Sequence, residues 1–280
     1  MLEILEHSRV LLILASGLLG LLVGSFLNVV IHRLPIIIMA EWAESANPLS
    51  KPAISLNQPR SFCPHCHQAI AWYDNIPLIS FMVLTGKCRH CHAPIHWRYP
   101  LVELLSTALS MICAWQFGYS WILIAAFILS WSLIAQSFID FEHFILPDQI
   151  NLPLLWLGLL ISIPEMFCTS QDSIIGAAAG YLSLWSVYHL FKFLTGKEGM
   201  GYGDFKLLAV LGAWLGWQQL PLIIVLSSLL GSLIGSVLIL RNRSSLSTPI
   251  PFGPYLALAG WLALVFGSTL NAWYQNLLVI

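Results

Sequence analysis

Charge is scarce in this chain: Asp, Glu, Lys and Arg make up only 9% of its 280 residues, against about 25% in soluble domains. So few charged groups cannot clothe a surface that meets water on every side, and a mean hydropathy of +0.80 excludes an ordinary soluble domain. Basic excess is lacking as well. The formal net charge of −1 removes the electrostatic footprint of a nucleic-acid-binding protein. No small-x-small cleavage site follows the first apolar run, and Glu3 and Glu6 stand ahead of it beside Arg9, so that run reads as a retained anchor. A dinucleotide-binding glycine loop lacks its frame, because Gly199, Gly201 and Gly203 follow no strand and open no βαβ unit.

Apolar residues are plentiful, at 58%. A spanning helix needs about 20 of them in a row, and eight runs qualify: Val10–Ile31, Leu101–Tyr119, Trp121–Ile139, Ile150–Phe167, Ile174–Leu194, Phe205–Leu220, Leu222–Leu240 and Tyr255–Leu278. The expected fold is an all-α polytopic membrane protein with about eight transmembrane helices. Residues 1–31 form an N-terminal transmembrane helix, 32–100 a polar loop domain, and 101–280 a second transmembrane domain. Arg33, Lys51, Arg60, Lys87, Arg89 and Arg98 fall in the first loop, Lys192, Lys197 and Lys206 flank the loop after the fifth run, and Arg241 and Arg243 follow the seventh. With eight spans these segments share one side and only Arg9 lies on the other, which places the loops in the cytoplasm and both termini outside.

That topology brings two aspartates to the cytoplasmic edge of the bilayer. Asp140 closes the third run and Asp204 opens the sixth, in Gly201-Tyr202-Gly203-Asp204. Two carboxylates held together at low dielectric share a proton, as aspartic proteolysis requires: one takes a proton from water, the other donates to the carbonyl oxygen or the leaving amine. Gly201 and Gly203 can adopt positive φ or admit a substrate backbone or an opposing helix. Asp204 is equally placed to cap its helix, and capping is the plainer role for Asp148, which follows Pro147. Asp140 resists that explanation, because a carboxylate at a helix C-terminus faces the wrong end of the dipole.

Four of the six cysteines form two knuckles, Cys63-Pro64-His65-Cys66-His67 and Cys88-Arg89-His90-Cys91-His92, separated by 21 residues. Cys63, Cys66, Cys88 and Cys91 can supply four thiolates to a structural Zn2+. The alternative is a pair of dithiols without metal. His65, His67, His90 and His92 read as exposed, and Cys113 and Cys168 as small buried hydrophobes. Glu103, early in the second run, is a functional candidate because a carboxylate at membrane depth is costly; it also has interfacial water and Arg98 within reach. Asn28 and His32 sit near the inner end of the first run, as groove-lining or packing residues.

The order of motifs resembles the bacterial prepilin leader peptidases of type IV pili and type II secretion. The resemblance rests on Gly24–Pro35, the paired cysteine loop, Ile139-Asp140 with Leu146-Pro147-Asp148, the Gly-x-Gly-Asp element at Gly201–Asp204, and Pro251-Phe252-Gly253-Pro254. It implies that Asp140 and Asp204 are catalytic, that the substrates are prepilins and pseudopilins, and that the enzyme sits in the inner membrane with its site facing the cytoplasm. It also implies a second activity, N-methylation of the newly exposed N-terminus with S-adenosylmethionine. Gly201, Gly203, Asp148 and Glu103 are candidates for binding substrate or shaping the loops. The rival readings are a proton- or cation-coupled transporter and a zinc-binding membrane scaffold without catalysis.

Overall fold

The computed structural model describes residues 8–46, 55–60, 62–63, 65–71, 77–242 and 250–278; Glu3, Glu6, Lys51 and Arg243 lie outside the described residues. Among those described, every regular element is a helix, and the only strand-like pairings are two isolated β-bridges. The helices are α1 (Arg9–Ala46), α2 (Pro77–Val83), α3 (Arg98–Phe117), α4 (Trp121–His143), α5 (Asp148–Ile161), α6 (Ser170–Thr195), α7 (Tyr202–Leu215), α8 (Leu220–Asn242) and α9 (Gly253–Leu278). Each of the eight expected apolar runs becomes a helix. Five of them (α1, α3, α4, α6 and α8) are long and apolar enough to cross a membrane, α5 is a shorter apolar helix, and α9 is apolar over residues 253–267. α5 stops at Ile161 because Pro164 disfavours helical backbone at Ile163. α7 stops at Leu215 because Gly216 takes φ 81°, ψ 163°.

The chain divides into two compact units, Met1–Ala135 and Gln136–Ile280. In the first, α1 and α3 run antiparallel. The Arg9 guanidinium donates to the Trp115 carbonyl at one end, and the Asn28 Nδ2 donates to the Tyr99 carbonyl at 3.0 Å near the other. The close approach has a steric cause: a Cβ on Gly20 would lie 2.6 Å from the Ser106 carbonyl, and one on Gly24 would lie 2.8 Å from Glu103 Cα. Leu27, Ile31, Leu34 and Ile38 continue the buried stripe of α1, whereas Val10, Leu14, Leu18, Leu22 and Phe26 recur every fourth residue on an exposed apolar stripe. α1 therefore does not end near Ile31 where a loop was expected. The stripe carries the helix through Pro35 to Ala46.

The second unit is built around α7. All its residues from Asp204 to Leu215 except Lys206 are buried, as befits a helix apolar on every face. Gly176 and Gly180 of α6 pack against the backbone of α7 at Gly212 and Leu208. On the α5 side, Trp214 Nε1 donates to the Leu154 carbonyl at 2.8 Å. Small residues on α6, Gly176 and Gly180, let the two helices come this close.

Candidate active site and metal centre

Asp140 lies in the last turn of α4, within the second unit, and is 6% exposed. Phe144, one turn on, takes φ 57° and ends the helix; its N–H bonds the Asp140 carbonyl at 2.9 Å. The chain then turns back through Leu146 and Pro147 into α5. Asp204 stands in the first turn of α7, likewise 6% exposed. The backbone N–H of Gly201, the residue preceding α7, faces its carboxylate. The expected capping contribution of Asp204 is therefore present, from inside the helix rather than from the cap position. The two acids lie close enough for the charge of Asp140 to act on Asp204. Asp140 Oδ2 accepts the N–H of Gly253, the first residue of α9, at 3.0 Å. Asp204 Oδ1 is buried and accepts no hydrogen bond among the described residues.

Leu146 is the hinge of this arrangement. A Cβ on Gly203 would lie 2.7 Å from Leu146 Cβ, and one on Gly253 would lie 3.1 Å from Leu146 Cδ2 and 2.6 Å from Asp140 Oδ2. Gly203 thus serves close approach. Neither it nor Gly201 is among the residues with positive φ, so the expected left-handed backbone is not used here. Asp148 is not the cap of α5, a position that Pro147 holds. It sits in the first turn and pairs with Lys206 Nζ at 2.7 and 2.8 Å, joining the start of α5 to that of α7.

In the first unit the Sγ atoms of Cys63, Cys66, Cys88 and Cys91 all lie within 4.8 Å of one another. The sequence repeat is also a structural one. In each knuckle the N–H after the second cysteine returns to the carbonyl of the first (His67 to Cys63 at 2.9 Å, His92 to Cys88 at 3.0 Å), and both histidines take positive φ, 54° and 56°. The backbone N–H groups of Cys91 and His90 lower the Cys88 thiol, toward the thiolate a metal needs, whereas at Cys91 the Ala93 N–H is outweighed by desolvation and by the sulfurs of Cys66, Cys88 and Cys63, which push the thiol up. The 3.8 Å separation of the Cys63 and Cys91 sulfurs matches the edge of about 3.8 Å of a tetrahedron with 2.3 Å metal–sulfur bonds. The donor set fits a metal ion, and His65, His67, His90 and His92 are exposed, as expected.

Comparison with known proteins decides the family. Residues 18–117 match the bacterial peptidase A24 N-terminal domain and residues 126–236 the type IV leader peptidase family. The prepilin leader peptidase/N-methyltransferase of Stutzerimonas stutzeri is 53% identical over 97% of this chain and 96% of its own. The chain belongs to the type IV leader peptidase family. The proteins of the same name from Aeromonas hydrophila, 54% identical over 92% of this chain and 91% of that one, and from Pseudomonas aeruginosa, 50% identical over 98% and 97%, agree. No solved structure matches the chain.

Within this leader-peptidase chain, two candidates lie in the first unit. Glu103 is fully buried on α3, where Oε2 accepts the Leu78 N–H at the start of α2 at 2.6 Å and the Ser25 side chain lies against the carboxylate. The expected reach to interfacial water is absent. Asn28 takes the packing role, bonding the Gly24 and Tyr99 carbonyls, while His32 is exposed. Cys168 is half-buried in the α5–α6 connection rather than in an apolar helix. The contacts of Gly253, Leu146 and Arg33 escape sequence reading. Arg33 is buried and donates to the carbonyls of Ser55, Leu56 and Pro59 at 2.6–3.2 Å. For Gly253 a signal was present, a glycine between two prolines at a helix start; for Leu146 there was none.

Proposed function

We propose that this chain is an aspartic endopeptidase of the membrane edge. It removes the basic leader of type IV prepilins and type II secretion pseudopilins on the cytoplasmic side of the bacterial inner membrane and then methylates the new N-terminus. Asp140 and Asp204 divide the general acid and base roles, and the pair titrates as a unit. The observation that carries this reading is the burial of both carboxylates beside Leu146 and its neighbours, with the charge of Asp140 acting on Asp204 and Asp140 oriented by Gly253. Low dielectric and a fixed donor are what a water-activating pair needs, and the lone Oδ1 of Asp204 suits it to address water or the scissile peptide.

The relatives' names support both activities and do not favour the transporter or the scaffold. The distribution of lysine and arginine supports the cytoplasmic orientation. The metal is Zn2+, held by Cys63, Cys66, Cys88 and Cys91 in a closed structural site that folds the loop domain over residues 32–100. The peptidase domain is 101–280, with Gly201, Gly203 and Asp148 shaping its loops. S-adenosylmethionine is the co-substrate that supplies the methyl group.

Purified protein in detergent, given a prepilin peptide, tests the reading. Asp140→Asn and Asp204→Asn should each abolish cleavage while leaving helicity and thermal unfolding intact. Cleavage by either variant removes the assigned pair.

A further inference from the structure

The peptidase site leaves unused the buried polar atoms where α1 meets α3. Glu103, Ser106 and Asn28 are 0, 0 and 3% exposed. Glu103 Oε1, Ser106 Oγ and Asn28 Oδ1 have no hydrogen-bond partner among the described residues. They belong to one place. The Cβ position of Gly24 lies 2.8 Å from Glu103 Cα and 3.1 Å from Ser106 Cβ, and Asn28 Nδ2 bonds the Gly24 carbonyl one turn on, at 3.3 Å. The Leu78 N–H serves Oε2 of Glu103 and the Ser25 side chain also lies against the carboxylate, but these contacts leave the three atoms above without a partner among the described residues. Buried acceptors without donors are unfavourable, and a buried carboxylate without a counter-charge more so.

An alkylammonium group has three N–H donors and one positive charge, the complement of three lone acceptors that include one carboxylate oxygen. We propose that this cluster binds the free N-terminal ammonium of a peptide, with Glu103 as counter-ion and acceptor of one of its protons. The proton passes from nitrogen to Oε1, leaving on nitrogen the lone pair that N-methylation requires. This assignment rests on the two-activity reading above. It places the amine in the unit that does not hold Asp140 and Asp204.

Calorimetric titration of the full chain in detergent tests the proposal, using an apolar peptide of about 20 residues with a free α-amine and its N-acetylated copy. Wild type should bind the acetylated peptide about ten- to a hundredfold more weakly. Glu103→Gln should bring the two affinities together while holding the acetylated peptide as wild type does, and Glu103→Asp should keep part of the discrimination. Equal affinities in wild type, or full discrimination in Glu103→Gln, overturn the proposal. If Glu103→Gln does not fold, Ser106→Ala serves in its place: partial loss of discrimination supports the site, and none overturns it. Prepilin cleavage by the same wild-type preparation is scored separately. Cleavage without amine discrimination sinks this inference alone, and absence of cleavage sinks the peptidase reading.

Discussion

Replacing Gly253 with alanine should cripple the chemistry while leaving most of the fold standing. The added Cβ would sit 2.6 Å from Asp140 Oδ2 and 3.1 Å from Leu146 Cδ2. Carbon and oxygen settle no closer than about 3.3 Å, so the carboxylate must retreat by about 0.7 Å. The Gly253 N–H bond to Oδ2, now 3.0 Å, would then pass the limit of useful hydrogen bonding, about 3.2 Å. A bond to a charged group contributes about 1.5–3 kcal/mol, and a reacting group displaced by about 1 Å loses about a hundredfold. Both arguments give a fall in kcat of about ten- to a hundredfold, with a smaller change in KM, because the bond orients the acid rather than the substrate. Steady-state cleavage of a prepilin peptide beside a thermal melt reads both quantities. Gly203→Ala meets Leu146 Cβ at 2.7 Å, one step removed from the acid, and should lose less; Gly201→Ala meets Asp204 Oδ2 at an ordinary 3.6 Å and should lose least. A folded Gly253→Ala protein with wild-type kcat, or a different order among the three, refutes the steric argument.

Other outcomes follow from the same contacts. Protein kept reduced should carry about one zinc per chain and lose it in Cys63→Ser or Cys88→Ser; a metal-free wild type would leave only the dithiol reading. Gly212→Ala drives a methyl into the Gly176 carbonyl and should cost about 1–3 kcal/mol by overpacking, lowering Tm by several degrees; an unchanged melt would contradict the helix contact. Lys206→Ala breaks an ion pair whose side chains are 33% and 49% exposed. After solvent screening it should cost less than about 1 kcal/mol, and a larger loss in the melt would show the pair to be better shielded than its exposure indicates.

What the sequence revealed and what it hid divide along a physical line. Local rules placed every long helix, because apolar runs bounded by polar segments are a strong signal, and the cysteine spacing announced a thiolate cluster because ligand geometry is written in short range. Helix ends were harder. Nothing at Ile31 shows that the buried stripe continues through Pro35, and the stop at Leu215 depends on the backbone of Gly216. Long-range contacts were not legible at all. Gly253 stands 113 residues from the acid it orients, and Glu103 finds its partner on a seven-residue helix in the loop.

The two acids also enter from opposite helix ends, and that asymmetry explains why a third helix is needed. Asp204 sits in a first turn, where its own helix offers backbone donors, and Gly201 supplies one. Asp140 sits in a last turn, where the free backbone groups are carbonyls and no donor is at hand. A donor must come from elsewhere, and the start of α9 brings one. Pro251 and Pro254 have no N–H, so within Pro251–Pro254 only Phe252 and Gly253 can donate, and only the residue without a Cβ can come within 3.0 Å of the carboxylate. The stretch matched to the leader peptidase family ends at residue 236 and contains both acids. The donor that orients Asp140 lies beyond it, so the pair depends on three helices, with the last one returning to complete the geometry.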